Sequence, residues 1–396
     1  MSKIQQILES RIFDAGGKYA EGSVAAANQI LEGLSVRKAS RTIQSEEISI
    51  RDLFDSFVVA KLRAEGKDIG PILNGHSTAI AEAIVTSQFP RLISRMSEVT
   101  ILDNYELALE GVDELVTPVE NVKNDWAYFS RITGQDLPEL TYEAMAYEET
   151  ILGEYEVAIK LRKYGRVLKL TKEMILADQT GKLQEQCRNY GGEMGYHRQT
   201  EILESACARI STKHEGVAAD NLRINGNSLA VYANSHAAYP GSGGETNDNI
   251  LVTNALSAAG VAAAILQLRK VKDIHGQGIM VRPTHVIVAP DQEAIAKKLY
   301  VFAVEPNLTT TTGGYIDPNL FKGLYKPMVD LGGTDGTWYI GEFRKEMRYC
   351  WGWKPLIDAI VPQEQALTHD VALLIRCSYK GGCGHVDHRF ALKSSA

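Results

Sequence analysis

The chain has 396 residues, of which 44% are hydrophobic and 23% charged, with a formal net charge of −7. That balance belongs to a folded protein with material for two or three domains, and it excludes a disordered tail, a collagen and a mucin-like stalk. A mildly acidic chain without a basic stripe also argues against specific nucleic-acid binding, though not against lying near DNA.

Residues 2–13 place Ile4, Ile7, Leu8 and Ile12 at helical spacing, and Gly16-Gly17 ends that helix. The polar stretch that follows, with Arg37, Lys38 and Arg41 near small residues, reads as a mobile or surface-laid arm. Ser49 to Leu62 is helix-like again, with Leu53, Phe54, Phe57 and Val58 on one side. Ser77 to Ile93 is a further helix, broken near Pro90.

Residues 99–170 lose the helical period and turn acidic at Glu139, Glu143, Glu148, Glu149, Glu154 and Glu156. Tyr155 to Arg162 alternates with period two, as a half-buried strand does. Lys163-Tyr164-Gly165 supplies a turn, and Arg166 to Leu170 returns. The result is a β-hairpin with Lys160, Arg162, Lys163, Arg166 and Lys169 on a basic outer face. An isolated hairpin is marginal in water, so it must lie on something.

Thr180 to Ile210 is the longest helical candidate, with Leu183, Cys187, Met194, Leu203, Cys207 and Ile210 roughly on one stripe. Gly191, Gly192 and Gly195 sit in its middle. Each costs about 1 kcal/mol there relative to alanine, so a bend or a close backbone contact is expected. Residues 221–250 read as short strands and a loop, and Tyr239 to Glu245 is the most flexible stretch by composition.

From Thr253 helices and strands alternate. Thr253 or Asn254 caps a helix to about Val271, His285 to Ala289 is a buried strand, and Asp291 caps a helix through Tyr300. Strand pieces follow around Tyr325–Val329 and Trp338–Ile340, and Asp370 to Arg376 is a strong strand ahead of Gly381-Gly382-Cys383-Gly384.

Tests for chemistry are mostly negative. Gly241-Ser242-Gly243-Gly244 lacks the Lys-Ser/Thr pair of a phosphate loop, and Gly313-Gly314 and Gly332-Gly333 are isolated, so all three read as surface turns. No nucleophile elbow and no H-E-x-x-H motif is present. Cys377, Cys383, His385 and His388 could offer two thiols and two imidazoles to zinc, but the spacing matches no finger signature. The favoured reading buries Cys377 in a strand and leaves both histidines on an exposed tail. The five cysteines, Cys187, Cys207, Cys350, Cys377 and Cys383, are odd in number, so a reducing compartment is expected rather than a disulfide framework. Trp338, Tyr339, Tyr349, Trp351 and Trp353 read as core or subunit-contact residues, because no basic groove accompanies them. The N-terminus lacks a basic segment followed by an apolar run, so no signal peptide is expected, and Ala255 to Leu268 is too short to span a bilayer. A soluble protein made in the cytoplasm, with no cofactor and no metal, is the expectation.

The order of elements carries a resemblance. An arm and an acidic-then-basic hairpin lead through Tyr164-Gly165-Arg166-Val167-Leu168-Lys169-Leu170-Thr171 into a long helix. Arg282-Pro283-Thr284-His285-Val286-Ile287-Val288-Ala289-Pro290 follows, then Trp338-Tyr339-Ile340 and Leu373-Leu374-Ile375-Arg376. Over roughly residues 120–396 this resembles the major capsid protein of tailed phages with the Hong Kong 97 fold, and within it the Mu-like major head subunit.

The resemblance implies an α+β fold: an N-terminal arm and helices (1–124), an extended β-hairpin loop (125–171) and a peripheral domain (172–248) with a spine helix at about 180–212. An axial domain (249–365) follows, and C-terminal strands (366–396) return to the peripheral domain. It implies no enzyme. It implies a virion shell protein whose main partner is itself, in hexamers and pentamers, alongside portal, scaffolding and decoration or cement proteins and double-stranded DNA held without specificity. The basic residues Lys160, Arg162, Lys163, Arg166 and Lys169 and the acidic Glu148, Glu149 and Glu154 are the candidate subunit-interface set. A cargo-holding encapsulin-type shell and an enzyme using residues 249–365 are the alternatives.

Overall fold

A computed structural model describes residues 19–35, 41–44, 48–66, 87–109, 111–132, 154–177, 179–209, 223–224, 227–228, 231–234, 236, 246–252, 255–272, 277–301, 322–360 and 371–395. The expected helix over 2–13 and the loop Tyr239–Glu245 lie outside them.

In chain order, helices α1 (Tyr19–Gly33), α2 (Ile50–Phe54) and α3 (Ala60–Ala64) come first, the last two joined by a π-helical turn, Asp55–Val59. Helix α4 (Phe89–Leu109) and a 3-10 turn (Val112–Leu115) precede strands β1 (Thr117–Val119), β2 (Trp126–Ile132), β3 (Glu154–Lys160) and β4 (Arg162–Thr171). Then come α5 (Lys172–Leu176), α6 (Thr180–Ala206), β5 (Arg223–Ile224), β6 (Asn227–Ser228), β7 (Ile250–Val252) and α7 (Ala258–Arg269). Strand β8 (His285–Val288), α8 (Glu293–Val301), β9 (Lys326–Val329), β10 (Thr337–Gly341), α9 (Phe343–Glu346), β11 (Met347–Ile360), β12 (Val371–His385) and β13 (Ala391–Ser395) complete the chain.

The chain divides into two compact units, residues 1–110 with 163–197 and 354–380, and residues 111–162 with 198–353 and 381–396. In the first, α1 takes up the first part of the expected arm, whose Arg37 and Lys38 lie outside the described residues: Ala26, Ala27 and Ile30 are buried, and small alanines gave that face little apolar signal. Arg41 pairs with Asp103 of α4 at 2.5 Å. Pro90 begins α4 instead of breaking it, since the first turn has no N–H bond to lose. Leu92, Ile93, Met96, Val99 and Tyr105 then bury one side of this 21-residue helix, which intervening acidic residues had masked. Helix α6 runs 27 residues, about 40 Å at ~1.5 Å per residue. A Cβ at Gly191 would strike the Ile101 carbonyl oxygen, and one at Gly195 would come within 2.7 Å of the Tyr105 carbonyl oxygen, whereas Gly192 meets open space. The glycines of α6 at 191 and 195 therefore admit the α4 backbone.

In the second unit a five-stranded sheet runs β7-β13-β10-β8-β9. Strands β10 and β8 pair antiparallel, as do β10 and β13, while β8 and β9 run parallel. Helices α7 and α8 cover a core of Val261, Leu268, Val286, Val288, Leu299, Trp338, Ile340 and Leu392. Ser257, not Thr253 or Asn254, caps α7 by accepting from the Gly260 N–H. A 3-10 turn, Pro290–Gln292, precedes α8, and Asp291 accepts from the Gly336 N–H instead of capping it. A separate four-stranded sheet runs β1-β11-β12-β4. The two C-terminal strands thus part: β12 joins the four-stranded sheet and β13 the five-stranded one.

Candidate assembly surfaces

The expected hairpin turn at Lys163-Tyr164-Gly165 is absent, because β4 runs straight through it. Strand β3 pairs instead with β2, antiparallel, with Trp126 opposite Lys160 and Ile132 opposite Glu154. Gly165 signals a close approach rather than a turn: a Cβ there would lie 2.9 Å from the Cys377 carbonyl oxygen of β12.

The ribbon β2–β3 is rooted by Ala127 and Ile159, which pack with Leu161 and Cys350. Its other side leaves Trp126 40% and Tyr128 61% exposed, with the Lys160 ammonium 5.5 Å from the Trp126 ring centroid. The Gly381-Gly382-Cys383-Gly384 run lies inside β12, not beyond its end. A Cβ at Gly382 would meet the Lys160 carbonyl oxygen, one at Gly384 would come within 3.0 Å of Ile159, and one at Gly381 within 2.7 Å of the Tyr349 hydroxyl. Missing side chains on both faces of β12 let Tyr349 close from one side and the ribbon from the other. The sequence motif was visible, but its meaning needed the pairing of distant strands.

The predicted basic face divides. Along β4, the Tyr164 ring packs against His197 of α6 with centroids 4.5 Å apart and Leu170 is fully buried, so Arg162 and Arg166 share the helix-facing parity. Lys163, Val167 and Lys169 take the opposite parity and are exposed. Arg376 of β12 pairs with Asp358 of β11 at 2.7 Å, and Leu356 and Ile360, two residues either side, are 51% and 43% exposed. The first unit therefore presents a sheet face that is basic on β4 and apolar along β11. Glu148 and Glu149 lie outside the described residues, and Glu154 is placed by its backbone alone.

The C-terminal turns of α6 meet a buried polar network. Arg198 lies 4.6 Å over the Tyr349 ring and 4.8 Å over the Trp351 ring, and pairs with Asp113 at 2.5 Å. The Tyr349 hydroxyl donates to Glu201 Oε2 at 3.3 Å. Burial pushes the Glu201 carboxyl up to about 7, against the pull of Tyr349, Arg198 and Arg162.

His385 and His388 are buried rather than carried on an exposed tail. His385 sits between Glu346 and the Ser205 carbonyl, and His388 stacks on His236 with centroids 3.9 Å apart. Asn249 ties this region together: its side chain donates to the Val231 and His388 carbonyls and accepts from the Ala233 N–H. Among the described residues no group of three or more His, Cys, Asp or Glu is arranged to hold a metal ion. Four cysteines are buried and Cys383 half-buried, all with free thiols. Burial pushes Cys187 up to about 11 and Cys350 and Cys377 up to about 12. Trp338, Tyr339, Tyr349 and Trp351 are core residues, while Trp353 is 36% exposed.

Among the described residues no helix is long and apolar enough to cross a membrane. No curated protein matches the chain. Among solved structures it is similar to the capsid of Ralstonia phage GP4, with 12% identity over 71% of this chain and 87% of that one, TM-score 0.46. It is also similar to a Mycobacterium phage Ogopogo chain (16%, 72% and 91%, TM-score 0.42) and to a virus-like particle from Pyrococcus furiosus (9%, 74% and 97%, TM-score 0.41). The assignment rests on the sequence-family comparison: the model of the phage capsid proteins matches residues 154–394, more than half of the chain. From the ribbon's second strand to the last strand the polypeptide follows that pattern, so this chain belongs to the phage capsid protein family and is a structural shell protein of the virion, not an enzyme.

Proposed function

We propose that this chain is a Hong Kong 97-type head subunit of the Mu-like kind, closing into hexamers and pentamers of an icosahedral shell around double-stranded DNA. Residues 1–124 are then the arm and its helices, 125–171 the extended loop, 172–248 the peripheral domain, 249–365 the axial domain and 366–396 the C-terminal strands. In this reading the axial domain takes in β13, because that strand joins the five-stranded sheet.

The ribbon is the observation that carries the reading. One side of the ribbon is seated on its own chain through Ala127 and Ile159, while Trp126 and Tyr128 stay exposed on the other. A neighbouring copy buries them. Glu148, Glu149 and Glu154 of one subunit's loop meet the exposed Lys160, Lys163 and Lys169 of the next, with Arg162 and Arg166 adding positive charge from the other parity of β4. Exposed ion pairs contribute only ~0–1 kcal/mol each, so they set register. Apolar burial, at about 25 cal/mol per Å², supplies adhesion. Portal, scaffolding and decoration or cement proteins complete the particle, and the net charge of −7 keeps contact with DNA non-specific.

Negative-stain imaging of the purified chain should show closed shells, and a compact monomer in every buffer overturns the reading. Nucleic acid inside the particles separates a phage head from a cargo compartment. Reversing Lys160, Arg162 and Lys163 together to glutamate should lower particle yield about tenfold. Normal yield from that variant removes the charge-register part.

A further inference from the structure

The end of α6 is fastened at two places, both within the second unit, and each holds a buried proton, required by contact geometry at one and favoured by burial at the other. The first is His385. Its Nε2 faces the Ser205 carbonyl at 2.5 Å and its Nδ1 faces Glu346 Oε1 at 2.5 Å. A carbonyl cannot donate, so Nε2 carries a hydrogen. The Nδ1 contact then needs a second proton, on the imidazole or on the carboxyl. Glu346 is 0% exposed and His385 5% exposed, so losing that proton would leave a net negative charge in the interior. The second is Glu201, 9% exposed, whose carboxyl accepts from the Tyr349 hydroxyl. Arg198, one turn earlier on the same helix, spends its guanidinium on Asp113 and on the faces of Tyr349 and Trp351.

We propose that the last turns of α6, residues 198–206, are held to β11, β12 and α9 by a pair of proton-dependent anchors, Glu201–Tyr349 and Ser205–His385–Glu346, which loosen together as the solution turns alkaline. At each anchor the balance between burial and the facing groups sets that direction. Around Glu201 stand Arg198 and Glu204 on α6, Arg162 at the start of β4, Tyr349 on β11 and Cys383 on β12. The Tyr349 hydroxyl and the two arginines favour the anion but do not outweigh burial. Around His385 stand Glu346 on α9, Asp387 beyond β12 and the Tyr232 ring, 6.4 Å away by centroid.

The sign is the same for both. A carboxyl raised from 4.5 to about 7 stabilises the folded chain while protonated, and that contribution fades as pH climbs from 4.5 through about 7. His385 is also raised: burial lowers it, but Glu346 and the Ser205 carbonyl outweigh burial. Its contribution is complete below 6.5 and lost as pH passes its folded value. A histidine and a carboxyl, which ordinarily answer pH in opposite senses, here release in concert.

The test compares the full chain with Glu201→Gln, Glu346→Gln and the double variant. Glutamine keeps a partner for Tyr349 and for His385 but does not titrate. Amide hydrogen exchange, corrected for its intrinsic pH dependence, should show residues 198–206 of the wild type opening about tenfold more readily at about pH 8.5 than at about pH 5.5. The double variant should lose that difference over those residues while the five-stranded sheet behaves alike in both. An unchanged pH response in the double variant, or a response spread evenly over the chain, overturns the proposal. Should the double variant not fold, Glu201→Gln alone decides by the same measure, since it should remove part of the response.

Discussion

Replacing Gly382 by alanine would place a methyl group against the Lys160 carbonyl oxygen, which is backbone and cannot swing aside. Overpacking of this kind costs about 1–3 kcal/mol, and here it strikes the root of the ribbon. Gly382→Ala should lower the unfolding free energy by that amount, read as a lower urea midpoint, and make the β2–β3 segment more sensitive to protease. An unaltered midpoint would show that the ribbon is not seated on β12. No reading of residue types alone could have assigned this glycine. It follows a strong strand and looks like a terminator, and only the partner strand explains it. Gly165 misled for the same reason: glycine serves turns and close approaches equally, and nothing local tells them apart.

Among secondary-structure elements, α6 offers a comparison of neighbours. Helix propensity predicts that alanine at Gly191, Gly192 or Gly195 gains about 1 kcal/mol. Packing reverses the sign where the α4 backbone is close. Gly191→Ala and Gly195→Ala should therefore destabilise the chain by about 1–3 kcal/mol, whereas Gly192→Ala, with nothing within 4 Å, should stabilise it by about 1 kcal/mol. Chemical denaturation of the three variants checks the order, and equal shifts would refute the close contact. The period of α6 and the buried run His285–Val288 were legible because tertiary packing there agrees with local pattern. Helix α1 and the second half of α4 were not. Alanines bury well without standing out, and the acidic side chains of α4 interrupt its apolar stripe. The 14-residue β11 escaped notice because aromatics, glycine and proline break its alternation.

At the level of the whole molecule, shell building follows from the family and is expressed in what one copy leaves uncovered. The ribbon's aromatics and the sheet face with Lys169, Leu356 and Ile360 are exposed in a single chain. If charge sets register while apolar burial holds, raising salt from about 0.05 M to about 0.5 M should slow assembly seen by light scattering yet leave finished shells intact. Dissolution of finished shells by salt alone would reverse that assignment of roles. The candidate set stands as a proposal for assembly experiments to decide. Pairing β3 with β2 instead of β4 divides its residues between two faces, which alternation within one strand could not reveal. A last consequence concerns the cysteines. With four thiols sealed inside and the fifth half-covered, a container made of this protein can pass from the host into oxygenated water without stray bridges welding its tiles or particles together, so its durability outdoors does not depend on any reductant.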